Sequence, residues 1–155
     1  MDIDMAVLRS LEREKDIAFD VVVEAIEQAL AIAKDTGEHW AMAEVLRVKA
    51  YLLKAVAGAE TKEIETILLR SLDIARTQHA RCWELRTACD LARLWQAQGR
   101  GREGLKLVQA VYEQFTEGFD TADLREAKAL MQDLKQSLGR KRNECTGTTD
   151  KTSRR

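Results

Sequence analysis

The 155-residue sequence predicts an all-α fold of stacked antiparallel helical hairpins, on three observations. The chain has no proline and 8 glycines, and its abundant Ala, Leu, Glu, Lys, Arg and Gln favour long uninterrupted helices. Apolar residues recur every three or four positions in segment after segment. In the tryptophan-bracketed stretch 83–99, Leu85, Ala88, Cys89, Leu91, Ala92 and Trp95 make a stripe too wide to be left facing water. The chain also repeats itself: Ala29-Leu30-Ala31-Ile32-Ala33 returns 42 residues later as Ser71-Leu72-Asp73-Ile74-Ala75, and Trp40 returns 43 later as Trp83. A period near 40 residues belongs to helix pairs that cannot bury their faces alone and complete one another by stacking.

Taken in order, Asp4 caps a short helix over 5–15, with Met5, Leu8 and Leu11 on one side, and 16–19 is a turn. Asp20 caps a second helix to Lys34, striped by Val22, Ala25, Ile26, Ala29, Leu30 and Ala33 and stopped by Asp35-Thr36-Gly37. The next helix, 40–57, carries Val45, Leu46, Tyr51, Leu52 and Leu53 and ends at Gly58. Thr61 caps another, with Ile64, Ile67, Leu68, Ser71, Leu72 and Ala75 inward, and 78–81 connects it to the tryptophan helix. Gly99-Arg100-Gly101 turns the chain into 102–115, where Leu105, Val108, Val111, Tyr112 and Phe115 point inward. After Gly118, Asp120 or Thr121 caps a last helix striped by Leu124, Ala127, Leu130, Met131 and Leu134 as far as Gly139. Residues 140–155, basic, Thr-rich and poor in apolar side chains, are expected to be a disordered tail. The expected division is an N-terminal helix and turn over 1–18, a repeat domain over 19–139 and the tail.

Small or branched residues stand where paired helices must approach: Val22, Ile26 and Ala29, then Ile64, Leu68 and Ser71, then Gly104, Val108 and Val111. Ala50 and Ala92 lie midway along the preceding helices. This spacing resembles the tetratricopeptide-like repeat, lengthened beyond that family's usual period of about 34 residues. It implies an α-solenoid of about two and a half repeats with a C-terminal capping helix. With so few repeats, an uncapped end offers a route to a homodimer. The stretches E-H-W-A-M-A-E-V-L-R-V-K-A-Y-L-L, C-W-E-L-R-T-A-C-D-L-A-R-L-W-Q-A-Q-G-R and V-Y-E-Q-F-T-E-G-F-D-T-A-D-L-R-E-A-K-A-L-M resemble the tail of large bacterial signalling ATPases and class III adenylate or guanylate cyclase-like proteins, over about 24–138. In those proteins the tail is a non-catalytic regulatory and interaction region, so the resemblance implies scaffolding rather than turnover. The first thirty residues, M-D-I-D-M-A-V-L-R-S-L-E-R-E-K-D-I-A-F-D-V-V-V-E-A-I-E-Q-A-L, resemble the start of actinobacterial transcription elongation factor NusA, which implies an alternative function as an RNA-polymerase-binding factor.

Charge narrows the partners. The 25 basic and 26 acidic residues leave a net charge of −1, which argues against nucleic acid as a partner of the whole molecule. Cys82, Cys89 and Cys145 are odd in number, and the first two stand about 10 Å apart along one helix, too far for a disulfide. Reduced thiols fit a cytoplasmic setting. No apolar run is long enough for a membrane span, and the acidic start lacks the basic region of a secretory signal.

Each motif of possible chemistry meets a plainer explanation. Gly99-Arg100-Gly101-Arg102-Glu103-Gly104 spells G-x-G-x-x-G, but a helix precedes it where dinucleotide binding needs a strand, so it is expected to be an interhelical turn. His79-x-x-Cys82, with His39 and Cys89, lacks the paired short spacings usual for the four ligands of a structural zinc site, and no orienting carboxylate is evident that would make either cysteine a nucleophile. No catalytic residue, cofactor or metal is therefore expected. Trp40, Trp83 and Trp95 serve as core residues more readily than as exposed anchors. The first helix of each hairpin lines the concave face of such stacks, which places Glu44, Arg47, Tyr51, Lys54, Arg86, Cys89, Arg93 and Gln96 on that face. Arginines beside a tyrosine suit an acidic or extended peptide partner. The expected function is a non-catalytic protein-interaction module, a regulatory or scaffolding piece of a bacterial signalling protein.

Overall fold

Each apolar stripe from Asp20 onward becomes one helix. The computed structural model describes residues 19–36, 40–55 and 60–146, and among them the chain is helical with no β-strand. The helices are α1 (Phe19–Thr36), α2 (Met42–Ala55), α3 (Thr61–Thr77), α4 (Arg81–Ala97), α5 (Gly101–Tyr112) and α6 (Ala122–Thr146). The expected helix over 5–15, the stops at Gly37 and Gly58, and His39 lie outside the described residues. Among the described residues no helix is long and apolar enough to cross a membrane.

The chain divides into two compact units at Thr87 and Ala88, within α4. In the first, α1 packs on α2 and α2 on α3. Helix α2 is buried at Met42, Ala43, Leu46 and Ala50 and also at Val48 and Leu52, so apolar residues on two of its sides leave water. Val45, Tyr51 and Leu53, expected to be core, are only half-buried. Ile64, Leu68, Ser71, Leu72 and Ala75 form the buried side of α3, as the spacing predicts, whereas Ile67, expected among them, is half-buried. Each fully buried leucine, such as Leu52, stabilises the fold by roughly 2 kcal/mol.

In the second unit α5 packs on α6. Leu124, Ala127, Leu130, Met131 and Leu134 of α6 are buried, as are Val108 and Val111 of α5. A Cβ on Gly104 would stand 2.8 Å from Ala92 Cα, so α5 approaches α4 backbone to backbone at this glycine.

Three helix ends depart from expectation. Thr61 is the first residue of α3, and Glu60 is the N-cap, extended at φ −72°, ψ 130°, with no side-chain cap bond. Its carbonyl accepts the amides of Glu63 and Ile64. Helices α3 and α4 end alike: Ala80 N–H donates to Ala75 O and His79 N–H to Arg76 O, just as Arg100 N–H donates to Trp95 O and Gly99 N–H to Gln96 O. This is the Schellman closure, whose penultimate residue must be left-handed. Gly99 takes φ 81° at no steric cost, whereas His79 takes φ 54° against its own Cβ. Helix α6 does not stop at Gly139 but continues through it to Thr146, so residues 140–146 of the expected disordered tail are helical. One interior glycine costs about 1 kcal/mol, and Arg140, Lys141 and Arg142 are good helix formers toward a helix C-terminus.

Candidate partner-binding site

The residues expected on a concave face divide between the units, with Glu44, Arg47, Tyr51, Lys54 and Arg86 in the first and Cys89, Arg93 and Gln96 in the second. In the first, Glu44 is not presented to a partner. It is 1% exposed, on the same side of α2 as Val48 and Leu52. Burying a carboxylate without partners would cost several kcal/mol, and here arginines meet it. Arg47, one turn on, donates from Nε to Oε2 at 2.9 Å and from Nη2 to Oε1 at 2.7 Å, a bidentate fork. Arg86 of α4 brings Nη1 to 3.7 Å from Oε1. Arg47 and Arg86 are mostly covered, so their first task is to neutralise Glu44. Tyr51 is half-buried, and Lys54 is exposed at the last turn of α2.

A second buried polar link lies beside the first. Ser71 Oγ donates to Ala43 O at 2.7 Å and lies 3.0 Å from Thr87 Oγ1. A serine has one proton and the carbonyl can only accept, so Thr87 is the donor to Ser71. Three helices, α2, α3 and α4, are thus tied together by two hydroxyls that are fully buried. Glu84, also buried, accepts from Arg76 Nε at 2.8 Å.

Trp40 is a correction. Expected in the core, it is 57% exposed in the turn before α2, its ring centroid 6.4 Å from that of Trp83 and tilted by 35°. Trp83 and Trp95 are half-buried, and Trp95 carries the Arg100 guanidinium 4.8 Å above its ring. Trp40, in the turn before α2, and Trp83, in the first turn of α4, thus meet each other.

In the second unit Arg93 lies between Asp90 and Glu126, and Gln96 Nε2 donates to Ser137 Oγ at 3.4 Å. Cys89 is buried, not groove-facing. Desolvation pushes its thiol up to about 12 against a smaller opposing pull from Arg93, so it stays protonated at neutral pH and is no nucleophile. Cys82 is exposed. The glycines of the G-x-G-x-x-G string all have turn or packing duties: Gly99 closes α4, Gly101 begins α5 against Leu134, and Gly104 meets Ala92. No group of three or more candidate metal ligands occurs among the described residues.

No family model, curated protein or solved structure matches the chain. What the site can do therefore rests on its own chemistry. An exposed tryptophan supported by a second one, with a lysine in the last turn of the helix that follows it, offers apolar area and positive charge to a partner. The Trp pair, the Ser71–Thr87 link and the burial of Glu44 were not read from the sequence. The available signal was the period itself, which sets Trp83 and Arg86 one repeat on from Trp40 and Glu44.

Proposed function

We propose that the chain is a non-catalytic helical-repeat module of the tetratricopeptide-like kind that holds a protein or peptide partner. The observation that carries this reading is contact between residues one period apart. Trp40 meets Trp83 and Glu44 meets Arg86, at offsets of 43 and 42, as stacking of equal hairpins requires. The repeated spacing supports it too: Ile64, Leu68 and Ser71 of α3 are buried, and so are Gly104, Val108 and Val111 of α5, with Ala50 and Ala92 buried on the helices before them. Stacks of this kind serve as binding surfaces. Trp40 and Lys54 are the residues offered to the partner, while Arg47, Arg86 and Arg93 chiefly hold the fold.

The test is a photo-crosslinking residue placed at position 40 or 54 of the full chain in the cell, with position 128, exposed on α6, as control. A discrete protein adduct from 40 and 54 but not 128 is expected. Adducts no different from the control contradict the assignment, and an adduct with RNA polymerase would favour the transcription-factor alternative. Trp40→Ala should weaken the captured partner by about tenfold or more, in the range of an aromatic anchor. Under the same reading the purified chain has no nucleotide turnover.

A further inference from the structure

The second unit gathers cations on one side. Gly101, at the start of α5, faces Leu134, and Gly118, in the loop after α5, faces Leu124, so α5 and α6 run antiparallel. Helix α4 lies on a different side of each: Gly104 of α5 meets Ala92, while Glu126 and Ser137 of α6 meet Arg93 and Gln96. At about 100° per residue these contacts fix which residues line the outer furrow between α5 and α6, turned away from α4. Arg102 and Lys106 line it from α5, and Lys128, Gln132 and Lys135 from α6, all exposed. The antiparallel course sets Lys106 beside Lys128 and Arg102 within a turn of Lys135. The carboxylates of α6 at Glu126 and Asp133 fall toward α4 instead. Glu113, at the far end of the furrow, accepts from Gln109 Nε2 at 2.8 Å. Among the described residues none of these four cations is in an ion pair, whereas Arg47, Arg76, Arg86, Arg93 and Arg100 each meet a carboxylate.

We propose that this furrow holds the phosphate backbone of a nucleic acid strand without reading its sequence. Arg102 and Lys106 stand about 6 Å apart along α5, Lys128 and Lys135 about 10 Å apart along α6, and packed helix axes lie about 8–10 Å from each other. The four charges therefore sit within about one Debye length, so their fields add and the furrow is locally positive although the whole chain carries −1. They stabilise nothing in the fold, and an anion lying between the two helices relieves their mutual repulsion. The chemistry of the lining selects which anion. Its exposed side chains are cations and an amide, Gln132, which suit phosphate oxygens. A folded or peptide partner would need an aromatic or aliphatic anchor between the charges, and a membrane surface would need an apolar face to insert; α6 has already buried its own at Leu124, Ala127, Leu130, Met131 and Leu134. The furrow belongs to the second unit, and this inference does not depend on the partner-binding proposal, whose residues Trp40 and Lys54 lie in the first.

The test is fluorescence anisotropy of a labelled single-stranded DNA of mixed sequence, about 20 nucleotides long, titrated with the full chain. Binding is expected with a dissociation constant on the order of 10⁻⁵ M at about 50 mM salt, weakening about fifty-fold by about 200 mM, the slope for four phosphate contacts on a single strand. Lys106→Gln with Lys128→Gln should weaken binding at least about tenfold and roughly halve that slope. Lys62→Gln with Arg70→Gln, which removes the same charge from exposed positions on α3, should change affinity by less than about twofold. Both pairs replace exposed side chains, and circular dichroism checks that helix content is kept. No binding up to about 100 µM protein at the lower salt would overturn the proposal, as would equal losses in the two paired variants, which would assign the attraction to net charge alone. So would polyglutamate or anionic phospholipid vesicles that bind through Lys106 and Lys128 more tightly than the DNA does, since the furrow would then belong to an acidic polypeptide or to a membrane.

Discussion

The two compact units use the same spacing in different ways. In the first, α3 presents Ile64, Leu68 and Ser71, and its contact with α2 and α4 is fixed by directional groups: Ser71 to the Ala43 carbonyl, Thr87 to Ser71, and Glu44 between Arg47 and Arg86. In the second, α5 presents Gly104, Val108 and Val111 at the same intervals, and the fixing device is the missing Cβ at Gly104, which lets α5 lie against Ala92. The polar contacts there are peripheral. Arg93 with Glu126 is open to water and stabilises by well under about 1 kcal/mol. One repeat pattern can thus specify helix position by hydrogen bonds that tolerate no substitute, or by closeness that tolerates no side chain.

The difference predicts where each unit breaks. Glu44→Ala should have the largest effect, a loss of about 3–5 kcal/mol, because it leaves two largely covered guanidiniums without their shared carboxylate. Glu44→Gln, which keeps the shape and some of the hydrogen bonds, should cost less. Urea unfolding measures both, and a cost for Glu44→Ala below about 1 kcal/mol, the range of an exposed pair, would mean that the carboxylate is solvated. Gly104→Val comes next, at about 1–3 kcal/mol, since its Cβ would meet backbone that cannot rotate away. A Gly104→Val chain with unchanged melting temperature would refute the close approach of α5 to α4.

How far the sequence reaches follows from the range of each interaction. Period-3.6 stripes are local, so the helices, the buried side of α3 and the packing of Ala50, Ala92, Val108 and Val111 are all legible in it. Glu44 is not, because a charged residue on an amphipathic helix reads as solvated until its partners, three residues and one repeat away, are brought together. The same holds for Trp40, whose only clue is a period that sets it against Trp83. His79 in the left-handed position escapes notice because glycine is the residue expected there. Gly139 misleads in the other direction, since a glycine reads as a stop although the residues after it favour helix.

The two Schellman closures sharpen the comparison at smaller scale. His79→Gly should stabilise the chain by up to about 1 kcal/mol by relieving a left-handed residue with a Cβ, whereas Gly99→Ala should destabilise it by a similar amount. Thermal melts of the two variants give the signs, and a lower melting temperature for His79→Gly would show that the His79 side chain contributes more than its backbone costs.

The most direct measurement of whether successive hairpins stack with equivalent positions in contact is a double-mutant cycle between Trp40 and Trp83, using Trp40→Ala, Trp83→Ala and the double variant in urea unfolding. The contact at 6.4 Å predicts a coupling of about 0.5–1.5 kcal/mol. Strictly additive single effects would mean that the two tryptophans do not meet and that the repeat is a feature of the sequence without a stack behind it.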